Sequence, residues 1–287
     1  MIELLDKNKH ILIFGGSGFL GTELVKFLID ENFSNISIFA RDEGKLIEVK
    51  QEHPCIKIIT GDISDKFEVY QAMKGKDWIF HLAAFKHVGL AEKFSRECIK
   101  SNLVGSLNIL ECSMELKPEF IITTSTDKAA KINGVYGATK YLVEELFSQF
   151  ELVNEETKYR VVRYGNVLYS TGSVLCKWKK LIQENKKVII TDPEATRFFW
   201  TVSEAIKLIF ECLNCALNSK PYCPLMKSMS MGDLLEAMVL KYSKGSRPEV
   251  EIIGLQPGEN KHEKILRDGL SSEEAIKFTI PEIMELI

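Results

Sequence analysis

Residues 11–21 read ILIFGGSGFLG, an apolar run that passes directly into a glycine-rich turn. Three glycines of this turn are spaced three residues apart, and a helical pattern follows over residues 21–32. A glycine turn lets the backbone approach a pyrophosphate, whose negative charge is favoured by the free amides at the start of a helix. The stretch therefore predicts a dinucleotide-binding turn after the first strand of the chain. The residues expected to contact the cofactor here are Gly15, Gly18, Phe19, Leu20 and Gly21.

Short β-branched runs alternate with longer helical patterns through the first two thirds of the chain. This order is typical of an α/β protein with a doubly wound, Rossmann-type parallel sheet. The predicted strands are 10–14, 36–40, 56–60, 78–82, 120–124 and 159–163. The predicted helices between them are 21–32, 66–73, 95–116 and 136–152.

The alternation loosens after residue 163. Residues 164–201 contain many Gly, Ser, Thr and Pro residues, and helical patterns follow at 203–217 and 231–242. We therefore expect a dinucleotide-binding domain over residues 1–165 and a smaller C-terminal substrate lobe over 166–287. The helix at 203–217 is expected to return to the first domain.

Composition narrows the classes of protein to which the chain can belong. Its 287 residues are 45% hydrophobic and 27% charged, values typical of globular proteins. A net charge of −3 gives no general attraction to nucleic acid or to an acidic membrane. No apolar run is long enough to predict a membrane span. Seven scattered cysteines without a signal-peptide pattern indicate the cytoplasm, and the CxxC pair Cys212 and Cys215 lacks the partners of a metal site.

The end of the second strand bears on the choice of cofactor. An NAD enzyme usually places a carboxylate there for the ribose 2′-hydroxyl, whereas this chain has Arg41, which suits a 2′-phosphate. NADP is therefore predicted, and NAD remains the alternative because Asp42 is adjacent. After the third strand, Asp62 is expected to accept a hydrogen bond from the adenine amino group. Further cofactor contacts are expected at Ile63, Ala83 and Ala84.

Tyr136 and Lys140 are four residues apart on a predicted helix and therefore share one of its faces. A lysine ammonium beside a phenol favours the phenolate, so we expect the pKa of Tyr136 to be lowered. The fifth strand ends in the polar residues 124–128, TSTDK, just before this helix. Both segments are expected at the carboxyl end of the sheet, which predicts a catalytic site there.

Several further stretches, in this order along nearly the whole chain, resemble the C5-inverting UDP-N-acetylglucosamine 4,6-dehydratases, which are extended short-chain dehydrogenases/reductases. The resemblance implies a hydro-lyase of polysaccharide and pseudaminic acid biosynthesis that keeps NADP bound and recycles it internally. It also implies a UDP-sugar substrate, UDP-N-acetylglucosamine, and a homo-oligomer. The stretches are 81–88 (HLAAFKHV), 125–130 (STDKAA), 136–140 (YGATK), 163–167 (RYGNV), 190–193 (ITDP), 196–198 (TRF), 257–259 (PGE) and 262–263 (HE).

The same resemblance implies roles for individual residues. Thr126 and Tyr136 would engage the sugar 4-hydroxyl, and Tyr136 would take its proton with help from Lys140. Asp127 and Lys128 would act as acid and base in the loss of water across C5 and C6. A lysine that acts as a base must be neutral, so we expect Lys128 to be desolvated or close to positive charge. The residues expected around the UDP-sugar are Lys86, His87, Asn166, Ser173 and Arg197, with Arg197 on the pyrophosphate.

Two departures from the family pattern leave other outcomes open. Lys131 and Cys176 occupy positions where the family usually has proline, both close to the expected substrate. One alternative is a related UDP-sugar enzyme that forms or uses a 5,6-unsaturated sugar, or that acts as a C4 epimerase or ketoreductase. Another is a dinucleotide-sensing protein without turnover. The pair Asp127 and Lys128 argues against a simple epimerase, and the retained Tyr136 and its partners argue against a sensor.

Overall fold

Six parallel strands form the central sheet, in the order β3-β2-β1-β4-β5-β6. The structure is a computed structural model that describes residues 6–287. The strands are β1 (Ile11–Phe14), β2 (Ile36–Ala40), β3 (Lys57–Thr60), β4 (Trp78–His81), β5 (Phe120–Thr126) and β6 (Lys158–Tyr164). This strand order reverses between β1 and β4, as in a doubly wound dinucleotide-binding sheet, so the predicted fold class is confirmed.

Helices cover both faces of this sheet. They are α1 (Phe19–Asp30), α2 (Glu43–Glu52), α3 (Lys66–Met73), α4 (Val88–Lys93), α5 (Ser95–Ile99), α6 (Gly105–Leu116) and α7 (Val135–Val153). Four more helices follow later in the chain: α8 (Val174–Gln183), α9 (Val202–Cys215), α10 (Met231–Tyr242) and α11 (Ile280–Leu286). Among residues 6–287, no helix combines the length and the apolar character needed to cross a bilayer.

The central strand β1 is fully buried because both of its faces are covered. Ile11 and Ile13 pack into an apolar cluster with α1 and α9, whereas Leu12 and Phe14 pack into a second cluster with α3, α6 and α7. Helix α9 therefore lies against the main sheet although it follows the first residues of the C-terminal lobe.

The C-terminal part of the chain has its own small sheets and its own apolar cluster. Strands β7 (Asn166–Val167), β9 (Thr196–Trp200) and β10 (Ser228–Ser230) pair in the order β10-β9-β7, and β8 (Val188–Ile190) pairs with β11 (Val250–Ile252). Trp178 of α8, Leu234 of α10 and Ile283 of α11 meet in the core of this region. The division at residue 165 remains a prediction.

The structure contains helices α2, α4, α8 and α11 and strands β7 to β11, none of which was predicted from the sequence, and it divides one predicted helix. The single helix predicted over 95–116 is interrupted by a π-helical segment, Lys100–Val104. Within it, the amide of Asn102 bonds the backbone N–H and C=O of Phe85, which ties the segment to the chain beyond β4. Helix α2 was not predicted, because only Leu46 and Val49 of its residues are buried and its apolar pattern is correspondingly weak.

Candidate active site

A cleft of about 610 Å³ lies at the carboxyl ends of the sheet strands, between the glycine turn, the start of α7 and the loop that precedes α8. It brings together most residues singled out in the sequence. Those that line it are Gly15, Gly18, Phe19, Leu20, Gly21, Arg41, Ile63, Ala83, Ala84, Lys86, His87, Thr126, Lys128, Tyr136, Lys140, Asn166 and Ser173. Three others, Asp62, Asp127 and Arg197, lie outside this lining.

The glycine turn forms a close cradle at one end of the cleft. Gly15 has a φ of +78°, and a Cβ on it would lie 2.7 Å from the backbone nitrogen of Ala83. A Cβ on Gly21 would collide with the carbonyl oxygen of Gly15. Helix α1 begins directly after Gly18, which offers no side chain to its first amides. Glycine at these positions lets the turn pack closely against the chain beyond β4 and against the start of α1. The turn and the first residues of α1 line the cleft, an arrangement that fits the pyrophosphate of a dinucleotide.

The residues after β2 present cations at the cleft. Arg41 is 65% exposed, and its guanidinium lies 3.8 Å from Asp62. Asp42 caps α2 by accepting a hydrogen bond from the backbone of Lys45, and its carboxylate is 3.6 Å from the Lys45 ammonium. The backbone N–H and the ammonium of Lys45 thus both contact the Asp42 carboxylate. Lys45 also lines the cleft and is a second cation that the sequence analysis missed.

Asp62 lies just outside the cleft lining, and its expected contact with the adenine amino group stays a prediction. Its carboxylate accepts a hydrogen bond from the backbone of Ser64 at 2.9 Å and faces Arg41, outside the cleft lining. Burial works to raise its pKa, but the Ser64 hydrogen bonds and the Arg41 charge prevail and lower it. In this structure Asp62 therefore organises the turn after β3 and orients Arg41.

Tyr136 and Lys140 lie in the first two turns of α7, and both reach the cleft. Burial raises the pKa of Tyr136 to about 12, although the Lys128 charge and a hydrogen bond with Thr126 act in the opposite direction. The expected lowering of the Tyr136 pKa is therefore wrong for this structure, because the cost of burying a phenolate exceeds the attraction of nearby charge. Burial also lowers the pKa of Lys140 to about 8, with Glu144 opposing it.

Asp127 and Lys128 form an ion pair directly beyond β5. The Lys128 Nζ lies 2.9 Å from Oδ1 of Asp127, and the Thr126 hydroxyl donates to the same oxygen at 2.9 Å. Asp127 is completely buried, and its Oδ2 has no hydrogen-bond partner among the described residues. Lys128, not Asp127, is the member of the pair that reaches the cleft.

Lys128 is desolvated, as expected, but two carboxylates that were not expected to act on it face its ammonium. Burial works to lower its pKa, but the carboxylates of Asp127 and Glu263 more than offset this, and the pKa is raised. The expectation of a neutral lysine is thus wrong for this structure. Glu263 was not among the residues predicted from the sequence, although it is 1% exposed and lies 3.6 Å from the Lys128 ammonium. The only signal for it was its presence in the HE pair at 262–263.

Arg197 lies on β9, close to Glu263 and outside the cleft lining. Its guanidinium donates to the carbonyl oxygens of Thr196 at 2.8 Å and Lys261 at 2.9 Å, and its Nε is 4.0 Å from the Glu263 carboxylate. The structure therefore does not bring Arg197 to the cleft as a pyrophosphate ligand. Backbone carbonyls accept from its Nη1, and the buried Glu263 carboxylate lies near its Nε.

The remaining predicted substrate residues lie along the cleft away from the glycine turn. Burial lowers the pKa of Lys86, and the pKa of His87 is lowered by burial and by the charges of Lys86 and Lys177. Ser173 precedes α8 and donates to the thiol of Cys176 at 3.5 Å. Ser170 and Thr171 also line the cleft and were not predicted from the sequence.

Comparison with known proteins yields one family match and many relatives. A family described as polysaccharide biosynthesis protein matches residues 11–285. A Campylobacter jejuni UDP-N-acetylglucosamine 4,6-dehydratase (inverting) is 36% identical over 89% of this chain and 76% of its own length. A Rickettsia canadensis UDP-glucose 4-epimerase is 31% identical over 94% of this chain and 80% of its own.

Among solved structures, the Bacillus thuringiensis protein Pen superposes with a TM-score of 0.86 at 31% identity, over 90% of this chain and 82% of that one. The similarity to all three proteins therefore includes the dinucleotide-binding sheet and most of the C-terminal lobe.

Proposed function

Because the chain belongs to the polysaccharide biosynthesis protein family and has the fold of the extended short-chain dehydrogenases/reductases, we propose that it is an NADP-dependent UDP-N-acetylglucosamine 4,6-dehydratase. The observation that carries the proposal is the Asp127–Lys128 ion pair next to Thr126 and Tyr136 at the end of β5. The proposed hydro-lyase reaction gives a UDP-4-keto-6-deoxy sugar with inversion at C5. Such a product would enter surface-glycan synthesis of the pseudaminic acid type.

The first step is oxidation at C4 of the sugar. A bound oxidised nicotinamide would supply the hydride acceptor, a positive charge that favours the Tyr136 phenolate, and later the hydride for C6. When the cofactor binds, Tyr136 would release its own proton to solvent by way of Lys140, and the resulting phenolate takes the proton of the 4-hydroxyl. Thr126 hydrogen-bonds the same hydroxyl. Lys140 lies one turn of α7 beyond Tyr136 and has a pKa near 8. It can therefore hold or release a proton near neutral pH.

The second step is the loss of water. The Asp127–Lys128 ion pair holds one proton, which is the number that this step requires. Transfer of one proton from the Lys128 ammonium to the Asp127 carboxylate gives a neutral amine and a neutral acid, and exclusion of water favours these uncharged forms. The amine then takes the C5 proton. The Asp127 acid, which lies behind Lys128 at rest, must turn toward the cleft to protonate the departing C6 hydroxyl. Lys128 ends as an ammonium and Asp127 as a carboxylate, so the resting pair is restored.

The surroundings of the sugar and the compartment are part of the proposal. The side chains of Lys86, His87, Asn166 and Ser173 line the cleft and would contact the UDP-sugar, whereas Arg197 would act through Glu263.

All seven cysteines lie in the described part of the chain and are free thiols, which supports the cytoplasm as the compartment. Assembly into a homo-oligomer is proposed from the resemblance alone.

The epimerase relatives make C4 epimerisation the second candidate, and solvent exchange separates the two reactions. In deuterated water, a dehydratase product should gain deuterium at C5, because that proton is removed and then replaced from a group that exchanges with solvent. Epimerisation at C4 leaves C5 untouched. Nuclear magnetic resonance of the product therefore decides the matter, and a product without deuterium at C5 contradicts the proposed elimination.

We expect the purified protein to contain NADP(H) rather than NAD(H), because Arg41 and Lys45 face the cleft and Asp42 is engaged as a helix cap. Chromatography of the nucleotide released on denaturation identifies the cofactor. Removal of one charge-assisted contact in Arg41→Ala should weaken NADP binding by about tenfold or more, and NAD binding much less. Predominant NAD in the wild-type protein would show this assignment to be wrong.

A further inference from the structure

Glu263 is a buried carboxylate that the C-terminal lobe brings to the acid/base pair. It is only 1% exposed, and its side chain is held by a hydrogen bond from the Asn260 amide to Oε2 at 3.1 Å. Its backbone N–H donates to the Ser272 hydroxyl at 2.9 Å. The other carboxylate oxygen, Oε1, faces Lys128 at 3.6 Å and Arg197 at 4.0 Å. The position of this charge is therefore fixed by its own local contacts.

Four charged groups and one phenol determine the proton content of this part of the site. Asp127 and Glu263 both face the Lys128 ammonium, Arg197 stands behind Glu263, and Tyr136 of α7 interacts with Lys128. Two carboxylates thus balance two cations in a region where charge is poorly solvated. An unbalanced buried charge is costly, so removal of the Glu263 charge acts directly on the Lys128 ammonium.

We propose that Glu263 is a positioning residue that holds the Lys128 amine at the edge of the cleft and keeps the single proton of the Asp127–Lys128 pair in the site. If that proton is lost to solvent, a neutral amine and a carboxylate remain, and no acid is left for the departing hydroxyl. The consequence for turnover rests on the proposed function. The effect of the Glu263 charge on the Lys128 proton does not, because it needs no substrate.

The state of Lys128 can be measured without turnover. The protein as purified is treated with limiting acetic anhydride at several mildly alkaline pH values, and acetylation of each lysine is followed by peptide mass spectrometry. Only the neutral amine reacts, so its rate rises about tenfold for each unit by which the pKa falls. Glu263→Gln keeps the shape and removes the charge, and should accelerate Lys128 acetylation about tenfold or more. Lys86, in the same cleft, serves as the internal reference and should not change.

Two matched variants separate charge from shape. Glu263→Asp keeps the charge and should leave Lys128 slow to react, near the wild-type rate. Glu273→Gln removes an exposed carboxylate of the same segment, 62% exposed, and should have no effect. The proposal is overturned if Lys128 reacts in Glu263→Gln at the wild-type rate relative to Lys86, or if Glu263→Asp accelerates it equally.

Activity provides an independent readout. If the wild type dehydrates UDP-N-acetylglucosamine, Glu263→Gln should lose kcat at alkaline pH where the wild type retains it, with little change in KM. A wild type that does not dehydrate this substrate, but whose Lys128 responds to Glu263→Gln, refutes the proposed function and leaves the role of Glu263 standing. A dehydrating enzyme whose Lys128 does not respond refutes only the role of Glu263.

Discussion

Tyr136→Phe is expected to reduce turnover of UDP-N-acetylglucosamine by about a hundredfold to ten-thousandfold, the range typical of a lost general acid/base group. The ring remains and only the group that takes the 4-hydroxyl proton is removed, so substrate binding should change little. With its pKa raised to about 12, Tyr136 holds its proton until substrate and cofactor are in place. A turnover assay together with calorimetric titration of the substrate measures both effects.

Tyr141→Phe is the matched control for this change. Tyr141 lies on the same helix, but its ring packs against the Arg267 guanidinium at 4.3 Å and it is not part of the cleft lining. It should retain nearly full activity. Substantial turnover by Tyr136→Phe would remove this residue from the mechanism.

Asp127→Asn and Lys128→Ala are expected to block loss of water while oxidation at C4 still proceeds. Thr126, Tyr136 and Lys140 remain in both variants, so reduced dihydronicotinamide should accumulate when substrate is added, whereas the wild type should show little. The absorbance of the reduced cofactor measures this, and product formation should fall by about a hundredfold or more.

The two variants differ in their structural cost. Asp127→Asn keeps the buried volume and is the cleaner change. Lys128→Ala leaves Asp127 and Glu263 buried without their shared cation, a loss of roughly 3–5 kcal/mol in the free energy of unfolding. Lys158→Ala, which removes an exposed lysine at the start of β6 outside the cleft lining, is the control for stability and activity. Near wild-type product formation by both variants would refute the assigned acid/base pair.

Local patterns predicted the central sheet and the glycine turn well. The glycine turn at 15–21 and the helix over Met231–Tyr242 follow from glycine spacing and apolar periodicity, which depend only on neighbouring residues. The π-helical segment at Lys100–Val104 was missed, because its interruption depends on the bonds from Asn102 to Phe85 across the fold.

The charge state of the site could not be predicted in the same way. The motif at 125–128 identifies Asp127 and Lys128, but the pKa of Lys128 depends on Glu263, which arrives from a distant segment. Likewise, the pKa of Tyr136 depends on burial, which no spacing of residues specifies. Arg197 was expected at the pyrophosphate because a guanidinium suits phosphate oxygens. In the structure its Nη1 instead donates to backbone carbonyls.

Transfer of hydrogen from C4 to C6 within one sugar, coupled to loss of water, is the central claim. Incubation of the purified protein with UDP-N-acetylglucosamine carrying deuterium at C4, followed by mass spectrometry and nuclear magnetic resonance, tests it most directly. We predict a product lighter by one water that retains the deuterium at C6. An isomer of unchanged mass with deuterium still at C4, or a dehydrated product whose label has been lost to solvent, would contradict the account.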